Sequence, residues 1–203
     1  YIVPQVYWNI GHQAADYAEL TQWWGKHTPQ KKAQLYIGQH AARTMDGDQL
    51  EEKLALSRQN SSGNSWWSGE DLVKNYKGLG DSLITSYQTY RALLPEIHGA
   101  LGKTKAPAAI SLILEDTNED GHMILWDDYR EPSDPESAFY YAVYAFPEGT
   151  RPDISDVRYL MSISTNPYFI LPSMERGMTY RYMVTAINRF WQESKPASIR
   201  ISY

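Results

Sequence analysis

The 203-residue sequence contains no cysteine, which excludes disulfide bonds, thiolate catalysis and cysteine-ligated zinc. It also contains no apolar run near the ~18 residues that a membrane-spanning helix needs. Its 19 basic residues are dispersed and outnumbered by 24 acidic ones, so it offers no basic patch for a phosphate backbone. The five histidines have no ligand spacing. We therefore predict no transmembrane segment, no nucleic-acid partner, no metal and no cofactor.

Tryptophan and tyrosine, in contrast, are abundant. The chain has 7 Trp and 16 Tyr but only 4 Phe. Trp and Tyr combine a flat apolar face with a polar tip, which suits stacking on sugar rings as well as packing in a core. The composition alone favours the packing role, so a sugar site needs evidence from position.

The first part of the chain alternates short apolar runs with helical periodicity. Strands are predicted at 2–8, 33–37 and 65–67, and helices at 14–27, 48–59 and 79–94. Strands separated by helices pair in parallel with right-handed crossovers, so this β-α-β-α-β-α order predicts a piece of an α/β layer or barrel. Three strands cannot close a barrel.

The pattern changes near Lys105. Residues 96–106 lie between Pro95 and Pro107, contain two glycines and have no sustained period, which predicts a linker. After it, the period becomes two, and seven strand-like runs are predicted at 109–114, 123–127, 139–146, 157–164, 168–171, 179–188 and 197–202. Seven short strands in about 96 residues predict a β-sandwich over residues 107–203.

The second half resembles a fibronectin type III domain. Residues 177–188 read Gly-Met-Thr-Tyr-Arg-Tyr-Met-Val-Thr-Ala-Ile-Asn, which matches that family's Gly-x-x-Tyr-x-aromatic-x-Val-x-Ala-x-Asn pattern. A lone Trp126 in the second strand and Tyr-Ala-Val-Tyr at 141–144 in the third extend the resemblance. We assign Trp126, Tyr141, Tyr180 and Tyr182 to the core, and a sugar site on exposed Tyr140 and Tyr144 is a further possibility.

Residues 1–95 resemble the C-terminal end of a bacterial glycosyl-hydrolase-like (β/α)8 barrel family of the domain-of-unknown-function type. The segments that carry this resemblance are Val-Pro-Gln-Val-Tyr-Trp at 3–8, the helix at 15–24, Leu-Tyr-Ile-Gly-Gln at 35–39, Ser-Trp-Trp-Ser at 65–68, and Asp-Ser-Leu at 81–83. The resemblance implies that the three strands are the sixth to eighth of a barrel, followed by an accessory sandwich. It also implies an extracytoplasmic protein, and the chain is expected to begin inside a longer one.

Barrel enzymes bind substrate at the carboxyl ends of their strands, which fixes the candidate carbohydrate-binding residues. They are Trp8, Asn9, His12, Gln39, His40, Arg43 and Trp67. The tryptophans could stack on pyranose faces, the amides and histidines could bond hydroxyl groups, and the arginine could meet a carboxylate of an acidic sugar. Packing remains an alternative role for the tryptophans, and a loop or helix-start hydrogen bond for the histidines.

No pair of catalytic carboxylates is recognised near these strand ends. Glycosidases of the usual kind need two, ~5 to 10 Å apart. Asp16 suits the first turn of a helix, and Asp46 and Asp48 suit a turn and a cap around Gly47. The resemblance implies that the catalytic carboxylates lie on the missing strands, so this chain alone is expected to be inactive.

Two hypotheses follow for function. In the first, the chain is the C-terminal fragment of a glycoside hydrolase that acts on O-glycosidic bonds of poly- or oligosaccharides. In the second, it is a non-catalytic carbohydrate-binding or structural module of a cell-envelope protein. In either case, the unpaired edges of the strands at 2–8 and 65–67 predict self-association or pairing with the missing barrel segment.

Overall fold

The computed structural model describes residues 1–29, 33–97, 104–117, 121–127, 130–173 and 175–203. The chain forms two compact units, Tyr1–Thr89 and Tyr90–Tyr203. Within the second unit, the N–H of Ile97 donates to the carbonyl oxygen of Phe190 at 2.8 Å, so residues up to 97 are held there. Residues 98–103 of the expected linker lie outside the described residues, and the linker stays a prediction.

The first unit contains a parallel sheet and a layer of helices. Its elements are α1 (Tyr17–His27), β1 (Tyr36–His40), α2 (Ala41–Asp46), α3 (Leu50–Asn60), β2 (Gly63–Trp67), α4 (Gly69–Val73), a 3-10 turn (Tyr76–Gly78), α5 (Leu79–Ser82) and a π-helical turn (Leu83–Tyr87). Strands β1 and β2 pair in parallel, as predicted. The short helices α2 and α4 were not predicted.

The segment before α1 is less regular than expected. It adds to β1 only through two isolated parallel bridges, Ile2 to Leu35 and Gln5 to Gly38. The N–H groups of Ile2 and Val6 donate to this neighbour, but Pro4 between them has no N–H to donate. The predicted strand at 2–8 is therefore a pair of bridges on one side of β1.

The helices cover one face of this sheet. Val6, Leu35 and Ile37 are buried against Tyr17 of α1, and Trp66 of β2 packs beside buried Leu54 of α3. Side chains alternate between the two faces of a strand, so the neighbouring residues lie on the opposite face. We call that opposite face the open face; it carries Gln5, Tyr7, Tyr36, His40, Ser65 and Trp67.

The third predicted helix is shorter than its pattern indicates. Regular α-helix ends at Ser82, and the chain leaves the following π-helical turn at Tyr87. The hydroxyl of Thr85 donates to the carbonyl oxygen of Asp81 at 2.8 Å, a local side-chain bond of the kind that distorts helices. Tyr90, which lies inside the predicted helix at 79–94, is 55% exposed.

The second unit is a β-sandwich, and its seven predicted strands are confirmed. They are β3 (Leu112–Thr117), β4 (Gly121–Trp126), β5 (Tyr140–Pro147), β6 (Leu160–Ser164), β7 (Tyr168–Ile170), β8 (Thr179–Ile187) and β9 (Ala197–Ser202). One sheet has the order β3-β4-β7 and the other the order β6-β5-β8-β9. Neighbouring strands pair antiparallel in both sheets.

The sandwich core follows the predicted alternation. Trp126, Tyr141 and Tyr182 are buried in one cluster, with Tyr180 partly buried against it. The possible sugar site on Tyr140 and Tyr144 is wrong for Tyr144, which is 1% exposed. Its hydroxyl donates to the carboxylate of Glu193 at 2.7 Å, so its polar tip is satisfied inside the sandwich.

Candidate functional site

The candidate residues of the first unit lie where its parallel strands end. The five residues of β1 align with those of β2, so that His40 and Trp67 are direct partners across the two strands. The bridge between Gln5 and Gly38 sets the register of the first segment against β1. Two residues further along, Tyr7 therefore lies beside His40, in one row with His40 and Trp67. The carboxyl ends of the three segments therefore meet at one edge of the sheet.

Three aromatic side chains occupy this row on the open face. The rings of Tyr7 and His40 are 5.8 Å apart at an interplanar angle of 87°. Trp67, on the other side of His40, is 61% exposed. A large indole face held at a strand end and open to solvent is suited to stacking on an apolar sugar face.

A second aromatic pair lies in the loop after the first segment. Trp8 is 36% exposed, and its ring is 6.3 Å from that of His12. The Nδ1 atom of His12 accepts the backbone N–H groups of Ala15 at 3.2 Å and Ala14 at 3.4 Å. These bonds orient the imidazole and leave its Nε2 edge available for a hydroxyl group.

His40 has a structural role as well as an exposed edge. It is the N-cap of α2, where its Nδ1 accepts the N–H of Arg43 at 3.4 Å. The predicted loop role of this histidine is thus present together with its place in the aromatic row. Arg43 is an exposed residue of α2, and its backbone N–H is the group that His40 accepts.

Two of the predicted residues turn towards the helices instead. Gln39 is fully buried, and its amide donates to the side-chain oxygen of Asn64. Strand alternation decides this, because Gln39 follows Ile37 on the helix side of β1. The Oδ1 atom of Asn9 accepts from Lys53 at 3.4 Å, so its side chain also points to the helix layer.

Two of the three acids of this region, Asp16 and Asp46, are engaged in local structure, and the N-cap of α3 is Gln49, not the predicted Asp48. Asp16 caps α1 by accepting the N–H groups of Ala18 at 2.7 Å and Glu19 at 3.1 Å. Burial works to raise the pKa of Asp16, but these backbone bonds outweigh it, and the pKa lies below its ordinary value. Asp46 pairs with Lys77 at 2.7 Å and accepts the Tyr76 hydroxyl at 2.9 Å, and these hydrogen bonds lower its pKa.

Two residues of this region were not among the predicted ones. Tyr7 lies in the aromatic row, and the strand alternation that places His40 on the open face could have revealed it. Lys53 is 1% exposed and contacts Asn9 from α3. Its position three residues after Leu50 and just before Leu54 places it in the apolar stripe of that helix, which is the signal that could have identified it.

The arrangement offers groups that could bind a sugar. It offers indole faces and imidazole edges at one end of the sheet. Within the described part of the chain, no group of three or more histidine, aspartate or glutamate residues could hold a metal ion. Over the same residues, no helix is both long enough and apolar enough to cross a bilayer.

A comparison with curated proteins finds a related sequence. The protein named Glycosyl hydrolase YngK of Bacillus subtilis (strain 168) is 28% identical over 209 residues, covering 96% of this chain and 39% of that protein. The chain therefore spans about two fifths of the length of this relative. No family model matches the chain.

Solved structures resemble about half of the chain. A mutant of FN3tt matches 48% of this chain and 97% of its own, with 16% identity and a TM-score of 0.34. Domains d3–d4 of the rat CD45 extracellular region match 50% of this chain and 52% of theirs, with 11% identity and a TM-score of 0.36. Pectate lyase PelI from Erwinia chrysanthemi matches 46% of this chain and 28% of its own, with 17% identity and a TM-score of 0.35.

Proposed function

We propose that this chain is the C-terminal part of a glycoside hydrolase that acts on O-glycosidic bonds of poly- or oligosaccharides. Residues 1–95 supply the last three βα units of a (β/α)8 barrel, and residues 107–203 form an accessory sandwich of fibronectin type III type. The observation that carries the proposal is the 28% identity to a protein named as a glycosyl hydrolase, which extends over 96% of the chain. By the same argument, we propose an extracytoplasmic location.

The geometry of the strand ends supports a sugar-binding role within that enzyme. Trp67 and Trp8 present exposed indole faces, His40 is the strand partner of Trp67, and His12 lies beside Trp8. Arg43, exposed in α2, completes the proposed contact set. Parallel strands of barrel enzymes place substrate at this end. We leave Asn9 and Gln39 out of the contact set, because their side chains are engaged on the helix side.

Sugar binding by the chain is tested by calorimetric titration with neutral hexasaccharides of β-1,4-linked glucose, xylose and N-acetylglucosamine. We expect Trp67→Ala and Trp8→Ala each to weaken binding about two- to tenfold, because one aromatic stacking contact contributes about 0.5 to 1.5 kcal/mol. Trp23→Ala is the matched control, since Trp23 is 51% exposed but lies on α1 away from the strand ends.

Two results would contradict the proposal. Equal losses for Trp23→Ala and Trp67→Ala would mean that sugars bind exposed indoles without a defined site. Absence of hydrolysis by the full-length protein on all common polysaccharides would favour the alternative, a non-catalytic binding or structural module.

That alternative has one specific observation in its favour, because Asp16 and Asp46 are both engaged in local structure. Two acids at the ends of preceding strands would favour the enzyme.

A further inference from the structure

Lys53 is a buried cation in a position that the apolar core would otherwise fill. It lies in the inward stripe of α3 with Leu54 and Ser57, and 1% of its surface is exposed. Removing a charged ammonium group from water is costly unless an anion compensates for it. The reason for a lysine at this position is therefore to be sought in what its side chain contacts.

The contacts of the ammonium group are neutral. Nζ donates to Oγ1 of Thr44 in α2 at 3.2 Å and to Oδ1 of Asn9 at 3.4 Å, and it lies 5.0 Å from the centroid of the Tyr17 ring in α1. The charged group that acts on it is Arg43 of α2, which is also a cation. No carboxylate within the described ranges pairs with it, so no opposite charge compensates for its burial.

The contact with Asn9 does, however, fix a loop of the candidate site. The backbone oxygen of Asn9 accepts the N–H groups of His12 at 3.3 Å and of Tyr17 at 3.4 Å. Anchoring this one residue therefore sets the turn that carries Trp8 on one side and His12 on the other. The side chain that anchors Asn9 is Lys53.

Gln49, just before α3, binds the next residue of the same loop. Its Oε1 accepts the N–H of Ile10 at 2.9 Å, and its Nε2 donates to the carbonyl oxygen of Ile10 at 3.2 Å. Consecutive loop residues are thus bound by side chains four residues apart, at one end of α3. Gln49 and Lys53 together hold this loop against one end of α3.

We propose that Lys53 is a positioning residue: through Asn9 it fixes the loop that carries Trp8 and His12, at the expense of fold stability. The inference rests on the proposed function for the identity of the ligand, but its structural part does not need a ligand. A positioning role and an ordinary core role predict different results when Lys53 is replaced. Loss of a positioning residue leaves stability unchanged or higher and loosens the loop, whereas loss of a core residue lowers stability.

The test compares Lys53→Met with the full wild-type chain. Methionine fills a similar volume without a charge, so we expect the melting temperature of the first unit to stay the same or rise. In the same variant, amide hydrogen exchange of residues 10–12 should be about fivefold faster than in wild type, the factor that corresponds to one lost hydrogen bond of ~1 kcal/mol. Lys53→Gln retains a donor and should restore part of the protection. Lys26→Met, at an exposed lysine of α1, should change neither quantity.

Two outcomes would overturn the proposal. Unchanged exchange at 10–12 would show that Lys53 does not hold the loop. A lower melting temperature with faster exchange throughout the first unit would show a purely structural role. If a hexasaccharide binds, its affinity should fall in Lys53→Met together with the loop protection. If none binds to any variant, the proposed function fails, whereas the exchange result still decides the role of Lys53.

Discussion

Two neighbouring residues of the first unit show what a sequence pattern leaves open. Gln39 and His40 are neighbours at the end of one strand, and both were predicted to contact a carbohydrate. The strand places them on opposite faces, so that Gln39 is fully buried while His40 joins the aromatic row. Strand alternation is simple, but it depends on knowing which face is covered, and the helices decide that.

The pH dependence of stability should report the burial of Lys53. Burial, with a smaller contribution from the Arg43 charge, lowers the pKa of Lys53 from 10.5 to about 8. Between these values the unfolded chain binds more protons, so stability rises with pH. We expect the first unit to gain ~1 to 3 kcal/mol on going from about pH 7.5 to pH 9.5. Urea unfolding of wild type and Lys53→Met at both pH values measures this.

The difference between the two proteins removes the contribution of shared titrating groups. Tyr17 makes stability fall with pH, but only at higher pH. Burial raises the pKa of Tyr17, so its contribution to the stability of the first unit decreases above about pH 10. If wild type and Lys53→Met show the same pH profile, the ammonium group is not buried as described.

Trp126 is the residue on which the sandwich core depends. It is 5% exposed, and its ring is 5.2 Å from that of Tyr141. Trp126→Ala should cost the second unit ~3 to 5 kcal/mol, through lost burial and the cavity left behind. Tyr168→Ala, at a position 40% exposed in the same sheet, is the control and should cost much less. Equal midpoints for both variants in urea would mean that the strand register is wrong.

At the scale of elements, α1 depends on its N-cap. Asp16 accepts the N–H groups of Gly11, Ala18 and Glu19, so it joins the start of the helix to the preceding loop. Asp16→Ala should destabilise the first unit by ~1 kcal/mol, and Asp16→Asn by less, because asparagine is also a good cap. The lowered pKa of Asp16 means that this stability is lost as the pH falls through its folded-state pKa.

Thermal melts from pH 7 down through the acid range test both statements. The difference between wild type and Asp16→Ala should shrink as the pH falls and the Asp16 carboxylate takes up a proton, below the ordinary range for an aspartate because its pKa is lowered. A difference that stays constant would assign the loss to packing instead of the cap. Glu19→Ala, in the first turn of the same helix, is a control that leaves the cap intact.

Helix and strand boundaries depart from the sequence pattern where side chains bond locally. Thr85 bonds the carbonyl oxygen of Asp81, and the third predicted helix ends after its first turns. His40 caps α2, which the pattern did not indicate because only six residues follow before Gly47. Short helices depend on capping more than on periodicity. The longer helices α1 and α3 were predictable because their apolar periodicity extends over enough residues to be recognised.

At the scale of the molecule, the open face of the first unit predicts association. β2 pairs only with β1 within the described residues, and Trp67 and Ser65 are exposed on the open face. We expect the chain to sediment above its 23.3 kDa monomer mass at micromolar concentration, with a mass that rises with concentration. Ser65→Lys places a charge on β2 and should shift the chain towards monomer.

Sedimentation velocity over a hundredfold concentration range makes the measurement. A monomer at every concentration, with well-protected amides in residues 1–89, would contradict the prediction. Ser155→Lys adds the same charge to a loop of the second unit and should leave the mass unchanged.

The sequence by itself determined the two kinds of secondary-structure pattern, because hydrophobic periodicity is a local property of the chain. It determined the seven sandwich strands and the parallel pairing of β1 with β2 in this way. Only the tertiary structure decided which strand-end residues meet, because the covered face of a sheet depends on helices distant in sequence. The burial of Lys53 and Gln39, and the engagement of Asn9, follow from that packing and could not be derived from spacing alone.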